Sequence, residues 1–211
     1  MKLFLDIETV GTSDQTVIDE IAASIKPPGS ITKPESIAAW NVDRKPAAID
    51  EAVARTSFDG GLGHVICFGY AIDDGPAMSL DAPDERELLQ SIAILPVRAP
   101  TLIGHNIAWD IRFLWQRYVC MGVRMPDWLR VAVTAKPWDA AIDTMTMWNP
   151  DRDKRISLDK LCRVLDVPSS KGDMDGSKVW AAYKAGETAR IAEYCRADVE
   201  ATREVYRRMT A

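Results

Sequence analysis

The sequence predicts an α/β domain in which the strands come early and the helices late. Three observations carry that expectation. A short apolar run opens the chain at Leu3, Phe4 and Leu5, two further apolar runs joined by a turn lie between residues 65 and 80, and two long stretches of helical periodicity lie at 107–118 and 187–209. With 211 residues, 47% of them hydrophobic, the chain is long enough to bury a full core, and one domain spanning 1–211 is expected.

The first stretch, Leu3-Phe4-Leu5-Asp6-Ile7-Glu8-Thr9, reads as a buried strand, yet it carries two carboxylates. Residues i and i+2 of a strand share a face, so Asp6 and Glu8 present their side chains together. Like charges that close repel. Burying them unpaired is costly unless one protonates or a shared cation takes up the charge, and a hard divalent metal is the natural candidate. By itself the triplet is a weak signal, because an acid-x-acid triplet more often just marks a strand end turning to solvent.

Asp14 to Ile25 has helical spacing at Val17, Ile18, Ile21, Ala22 and Ile25, and Pro27-Pro28-Gly29 ends it. A second helical stretch runs from Pro34 towards Thr56 with Pro46 as a break inside it. Residues from about 12 to 60 thus form an excursion too polar to be core, a candidate flap on the substrate side. Gly60-Gly61-Leu62-Gly63 lacks the Lys-Ser/Thr of a phosphate loop and precedes a strand, so it reads as a turn. Val65 to Ile72 and Ala77 to Leu80, joined by Asp73-Asp74-Gly75-Pro76, form a hairpin. Asp84 to Leu95 is an amphipathic helix, and Thr101-Leu102-Ile103 is a short buried strand closed by Gly104.

His105-Asn106-Ile107-Ala108-Trp109-Asp110 follows that strand and opens a helix with the apolar stripe Ile107, Ile111, Leu114 and Tyr118, which puts Asp110 at the edge of the buried face. Glu187 to Met209 is a second long helix with Ile191, Cys195, Thr202, Val205 and Met209 along one side. Asp198 shares that side, and Tyr194 sits one turn before it. Taken singly, each core-facing Asp reads as half of a structural ion pair or as a helix-terminal charge.

Composition bounds the partners. The net charge of -5 argues against a nonspecific nucleic-acid binder, but clustered acids neutralised by cations would leave basic residues to line a groove. Arg152, Lys154, Arg155, Lys171 and Lys178 are the candidates. The apolar region before Asp6 is too short for a signal peptide, and the longest apolar run elsewhere, Val65 to Ile72, is far below a membrane span. A soluble, cytoplasmic protein is expected. The four cysteines, Cys67, Cys120, Cys162 and Cys195, are scattered, with no CxxC pair and only two histidines to complete a zinc site; all four are expected as buried free thiols. Most of the seven tryptophans are expected in the core rather than as base-stacking platforms. Asp173-Met174-Asp175-Gly176 fails the calcium-loop pattern, because Lys171 and Ala182 occupy its first and last positions. Residues Lys171 to Lys178 are instead expected to form a mobile loop capping a helix that begins near Ser177.

Three stretches together decide between these readings. Asp6-x-Glu8 on the first strand, His105-Asn106-x-x-Trp109-Asp110 opening a middle helix and Tyr194-x-x-x-Asp198 on the last helix resemble, in this order, the three motifs of the DnaQ-like 3'-5' exonucleases. The subgroup resembled is DEDDy, in which Tyr precedes the last Asp by four residues. The sister group has His five residues before it, where this chain has Glu193. Ile142-Asp143-Thr144-Met145 and Ser157-Leu158-Asp159-Lys160-Leu161-Cys162 also fall between the second and third motifs as in family members. The resemblance extends over the whole chain and points in particular to stand-alone relatives of the proofreading domain of family B DNA polymerases. Trp109 departs from the usual Phe, one large aromatic for another.

The resemblance implies an RNase H-like fold, a mixed five-stranded sheet with helices on both faces. It implies two divalent cations, Mg2+ or Mn2+, with Asp6 bridging both, Glu8 and Asp198 completing one site, and Asp110 holding the other largely through water. Tyr194 would orient the attacking water. Thr9, His105, Asn106 and Lys171 are expected to touch substrate; Asp143 is a candidate fifth metal ligand, with a supporting role behind the site the stronger expectation. The implied activity is 3'-to-5' hydrolysis of single-stranded DNA to nucleoside monophosphates; an exoribonuclease trimming RNA 3' ends, or a non-catalytic binding module of the same fold, are the alternatives. A polymerase or replication partner is left open.

Overall fold

The central strand is β1 (Lys2–Val10). In the computed structural model, which describes residues 1–135, 141–150, 155–170 and 172–211, β1 pairs antiparallel with β2 (His64–Ile72). β2 continues antiparallel to β3 (Met78–Leu80) through the expected turn. On its other side β1 pairs in parallel with β4 (Thr101–Gly104), and β4 with the short β5 (Ile142–Asp143). The order β3-β2-β1-β4-β5 is the mixed five-stranded sheet of the RNase H-like fold. Antiparallel neighbours need only a turn between them, whereas the parallel pairs need crossovers, and helices supply these.

The chain between β1 and β2 carries α1 (Gln15–Ser24), α2 (Pro34–Asp43) and α3 (Lys45–Arg55). The helical stretch expected from Pro34 is therefore two helices, separated at Arg44 beside the break at Pro46. α4 (Glu85–Ala93) follows β3, capped by the Asp84 carboxylate, which accepts from the N–H groups of Arg86 and Glu87. α5 (Ile107–Met121) follows β4 and ends at Gly122, whose φ of 59° closes the helix in the left-handed form. α6 (Asp127–Thr134), α7 (Thr144–Trp148), α8 (Leu158–Leu165) and α9 (Val179–Lys184) are short. α10 (Thr188–Thr210) is the longest helix among the described residues.

Both faces of β1 are covered, which is why its apolar run is continuous. Leu3, Leu5 and Ile7 pack in the core with α4, α5 and α6. Phe4 and Val10 face the other way, towards α9 and α10. Tyr206 of α10 meets Phe4 edge-on at 5.7 Å, and α8 packs behind α10 through Leu161, Cys162, Ala201 and Val205. A bulge interrupts the β1–β2 register: Glu8 pairs with Cys67 but Thr9 pairs with Val65, so Ile66 is the extra residue. The bulge shifts the parity of β2, and Val65 and Phe68, three apart, come to share one core.

Two expectations about the core are corrected. Cys120 is exposed on α5, while Cys67, Cys162 and Cys195 are buried free thiols. Among the described tryptophans only Trp128 is buried; Trp115 and Trp148 are exposed, and Trp40, Trp109 and Trp180 are half-buried. A large amphipathic ring is seldom fully enclosed, and small α/β layers are filled here by Leu, Ile and Phe instead. Among the described residues no helix is long and apolar enough to cross a membrane.

Candidate active site

The site is built where the sheet comes apart. β1 and β4 pair only over Lys2–Phe4 and Thr101–Ile103. Beyond that point the chain leaves β4 through Asn106, in the left-handed conformation (φ 62°) that asparagine tolerates, and enters α5. The turn is tied down by Asp143 at the end of β5. One of its carboxylate oxygens, Oδ1, accepts from Asn106 N–H at 2.8 Å and from Met145 N–H at 2.9 Å, so the side chain also caps α7. The first turn of α5 then fills the gap beside β1. Asp110 Oδ1 accepts from the N–H of Ile7 at 3.3 Å, a backbone donor that β4 does not reach.

α10 closes the other side. Gly69 of β2 stands opposite Asp6, and a Cβ on it would lie 2.8 Å from Cys195 Sγ and 2.9 Å from Val199 Cγ2. The bare glycine lets α10 descend onto the sheet. Tyr194, Cys195 and Asp198 consequently meet Asp6 and Glu8. The Tyr194 phenol feels the charge of Asp198, and Cys195 Sγ lies 3.6 Å from the Asp6 carbonyl and 3.8 Å from its Oδ2. One ligand atom each from Asp6, Glu8 and Cys195 falls within 4.8 Å of the others.

The electrostatics are those of a cluster with too much negative charge. Burial, followed by Asp198, Asp110 and Glu8, pushes the Asp6 carboxyl well above the usual carboxylate range. Burial and then Asp198 push Glu8 up. Asp110 is also raised by burial, even against the hydrogen bonds it accepts. Burial and the neighbouring acids raise the Tyr194 phenol, so it stays neutral and donates. Among the described residues no Lys, Arg or His pairs with Asp6, Glu8 or Asp110. Oxygen donors in excess, buried and without a protein cation, fit a hard divalent ion.

A family model described as predicted 3'-5' exonucleases related to the exonuclease domain of PolB matches residues 76–211. The chain belongs to this family. Among curated proteins none matches it. The matched part of the exonuclease contains Asp110, Tyr194 and Asp198, while Asp6 and Glu8 lie on β1, ahead of it. The sheet brings the two parts together.

Not every expected contact joins the carboxylates. Thr9 donates its hydroxyl to the Ser57 carbonyl at 2.8 Å, at the root of the 12–60 excursion. His105 is enclosed: Nε2 faces the Ile156 carbonyl at 2.9 Å and so carries the proton, leaving Nδ1 to accept from the Thr144 hydroxyl at 2.9 Å. Burial lowers its pKa and keeps it neutral. It is a strut between β4, α7 and residue 156. Asn106 spends its N–H on Asp143 and lines a cavity of about 910 Å³, together with Ala108, Arg112, Trp115 and Arg155, that none of the four carboxylates reaches. Lys171, Arg152 and Lys154 lie outside the described residues. Lys178 donates to the Asp173 carbonyl, Asp175 caps the 3-10 turn Gly176–Lys178, and Asp173 pairs with Arg190 of α10, so residues 173–178 of the exonuclease are tied to one another and to the last helix.

Sequence reasoning missed Cys195 and Gly69. A glycine inside the apolar strand Val65 to Ile72 was the available signal for close backbone approach. For Cys195 there was none, because a thiol on an apolar stripe looks like any small core residue.

Proposed function

We propose that this exonuclease is a metal-dependent enzyme of the DEDDy type that shortens single-stranded DNA from its 3' end, releasing nucleoside monophosphates. The observation that carries the reading is the convergence of Asp6, Glu8, Asp110 and Asp198 from β1, α5 and α10 on one buried spot, with the pKa values of Asp6, Glu8 and Asp110 raised. These four would hold two divalent cations, Mg2+ or Mn2+, the pair supplying the charge neutralisation and water activation that phosphodiester hydrolysis needs at neutral pH.

The chain's own residues do the positioning. Asp6 sits where the carboxylates of all three elements meet, and Glu8 and Asp198 flank it. Asp110 is locked by the Ile7 N–H, so its free oxygen has a fixed direction. Tyr194 keeps its proton and is a hydrogen-bond donor beside Asp198; its role is to orient the attacking water, not to deprotonate it. We further propose that 1–211 is one domain and that the polar helices between residues 12 and 60 flank the entering strand. Their roots, Thr56 and Ser57, are hydrogen-bonded to Thr12 and Thr9, just beyond Glu8.

End-labelled single-stranded DNA and RNA of one sequence, each incubated with Mg2+ and with EDTA, test this. Stepwise loss of mononucleotides from DNA with Mg2+ alone is expected. Equal or faster loss from RNA replaces the substrate with RNA, and no cleavage of either in any metal removes the enzymatic reading.

A further inference from the structure

Cys195 belongs to the carboxylate cluster without having a part in the chemistry proposed for it. Its Sγ is 3.8 Å from Asp6 Oδ2, and Sγ, one Asp6 oxygen and one Glu8 oxygen lie within 4.8 Å of one another. Bonds of about 2.0 Å to oxygen and about 2.3 Å to sulfur set the ligand atoms of one tetrahedral ion roughly 3.5 Å apart. The observed Asp6–Cys195 separation is therefore already close to that of two ligands of one ion. Glu8 is only 7% exposed and has no hydrogen-bond partner among the described residues, so its carboxylate is available to the same ion. The thiol cannot swing away. α10 is seated over Gly69, and Cys67, buried on the strand in the same core, stands beside Cys195.

We propose that Cys195 is a conditional third ligand of the Asp6–Glu8 metal position, idle towards a hard cation such as Mg2+ and engaged by a thiophilic one, Zn2+ or Cd2+. The inference rests on the proposed metal centre. Hard ions take oxygen, whereas thiolate selects soft and borderline ions, so one pocket sorts cations by which of its donors they recruit. On engagement a sulfur–metal bond forms, the S–H bond breaks and its proton passes to solvent; nothing is oxidised or reduced. A thiophilic ion so held sits where the working ion belongs. The exonuclease therefore carries an inhibitory mode for such cations within its own centre.

The test uses the full chain with Cys120→Ser, which removes the exposed thiol. Titration with Cd2+ is followed by the near-ultraviolet charge-transfer band of a cadmium–thiolate bond, and Mn2+ binding is followed by its paramagnetic resonance signal. A cadmium band saturating at one equivalent is expected. Adding Cys195→Ser should abolish it and lower the ratio of Cd2+ to Mn2+ affinity at least about tenfold, the scale on which losing even an outer-shell partner weakens a metal site. Cys67→Ser should keep the band. Should Cys195→Ser not fold, cadmium NMR on the protein with Cys195 intact decides, since one sulfur donor moves the resonance out of the all-oxygen range. A band surviving Cys195→Ser, no band in a protein that binds Mn2+, or an all-oxygen resonance overturns the inference and leaves the metal centre standing. Failure to bind either ion overturns both.

Discussion

The Tyr194 phenol lies in the field of the Asp198 carboxylate, one helical turn further along α10. The two residues act at one spot, yet they should fail differently. Tyr194→Phe keeps the ring and removes only the donor, so metal binding should survive while turnover falls roughly 10-fold to 1,000-fold, the range for a lost positioning group. Asp198→Ala deletes a proposed ligand; it should weaken Mn2+ binding and bring activity near background at saturating Mg2+. Combined, the effects should be non-additive, because both act on one water. Single-turnover rates on labelled DNA measure this, and a Tyr194→Phe enzyme at the wild-type rate across neutral pH would leave Tyr194 as a core aromatic only.

The raised pKa of Asp6 has a definite sign for stability. A carboxyl whose folded-state pKa lies above its unfolded value is penalised when ionised, so its contribution declines as pH rises from the ordinary carboxylate range, 3.8 for Asp, towards the raised value. At neutral pH without metal, Asp6→Asn should therefore melt above the wild type. Mg2+ or Mn2+ should raise the melting temperature of the wild type and much less that of Asp6→Asn. Calorimetry in EDTA and in Mg2+ checks both halves, and equal metal-induced shifts in the two proteins would count against the assigned site.

Glu85 titrates with the opposite sign. Burial alone would raise it, but hydrogen bonds from His64, Arg117 and the Val65 N–H outweigh burial and hold its carboxyl below the usual range. Arg117 and Glu85 are both almost fully buried, with side chains 5% and 8% exposed. Glu85→Gln should cost about 3 kcal/mol at neutral pH, because it strands the Arg117 charge. The contribution is full above the ordinary glutamate value of 4.5 and is lost as pH falls through the depressed one, so the gap between wild type and Glu85→Gln should narrow in acid. Urea unfolding at neutral pH and near the acid limit of folding measures it; a gap that stays constant refutes the assignment.

Gly69→Ala places a methyl group against Cys195 Sγ and Val199 Cγ2. Overpacking of this kind costs about 1–3 kcal/mol and should push α10 off the sheet, so Mn2+ affinity should fall together with thermal stability. Gly29→Ala, which meets nothing within 4 Å, should change neither. Parallel melting curves and Mn2+ titrations suffice, and a stable Gly69→Ala protein with unchanged Mn2+ binding would show that the glycine does not set the helix height.

Digestion should run from the 3' end. A 3'-blocked oligonucleotide and circular single-stranded DNA should both resist, since the reaction proposed needs a free terminal nucleotide at the carboxylates. Rapid cutting of the circle would identify an endonuclease.

The sequence alone determined whatever depends on local pattern. The strand opening at Leu3, the hairpin around Asp73-Asp74-Gly75-Pro76, the helices carrying Asp110 and Asp198, and membership of an exonuclease family were all legible, because periodicity and turn residues act over a few positions. Only the tertiary structure decided what depends on distance between elements. That Ile7 donates its N–H to Asp110 follows from where β4 stops pairing, and that Cys195 joins Asp6 follows from a missing Cβ at Gly69 on another strand. His105 and Thr9 belong to the same lesson. His105 heads the second motif and Thr9 follows the first, and their side chains are engaged by Thr144, Ile156 and Ser57, residues far away in the chain. A buried hydrogen-bonding atom takes the partner that packing brings to it, and packing is a property of the whole chain.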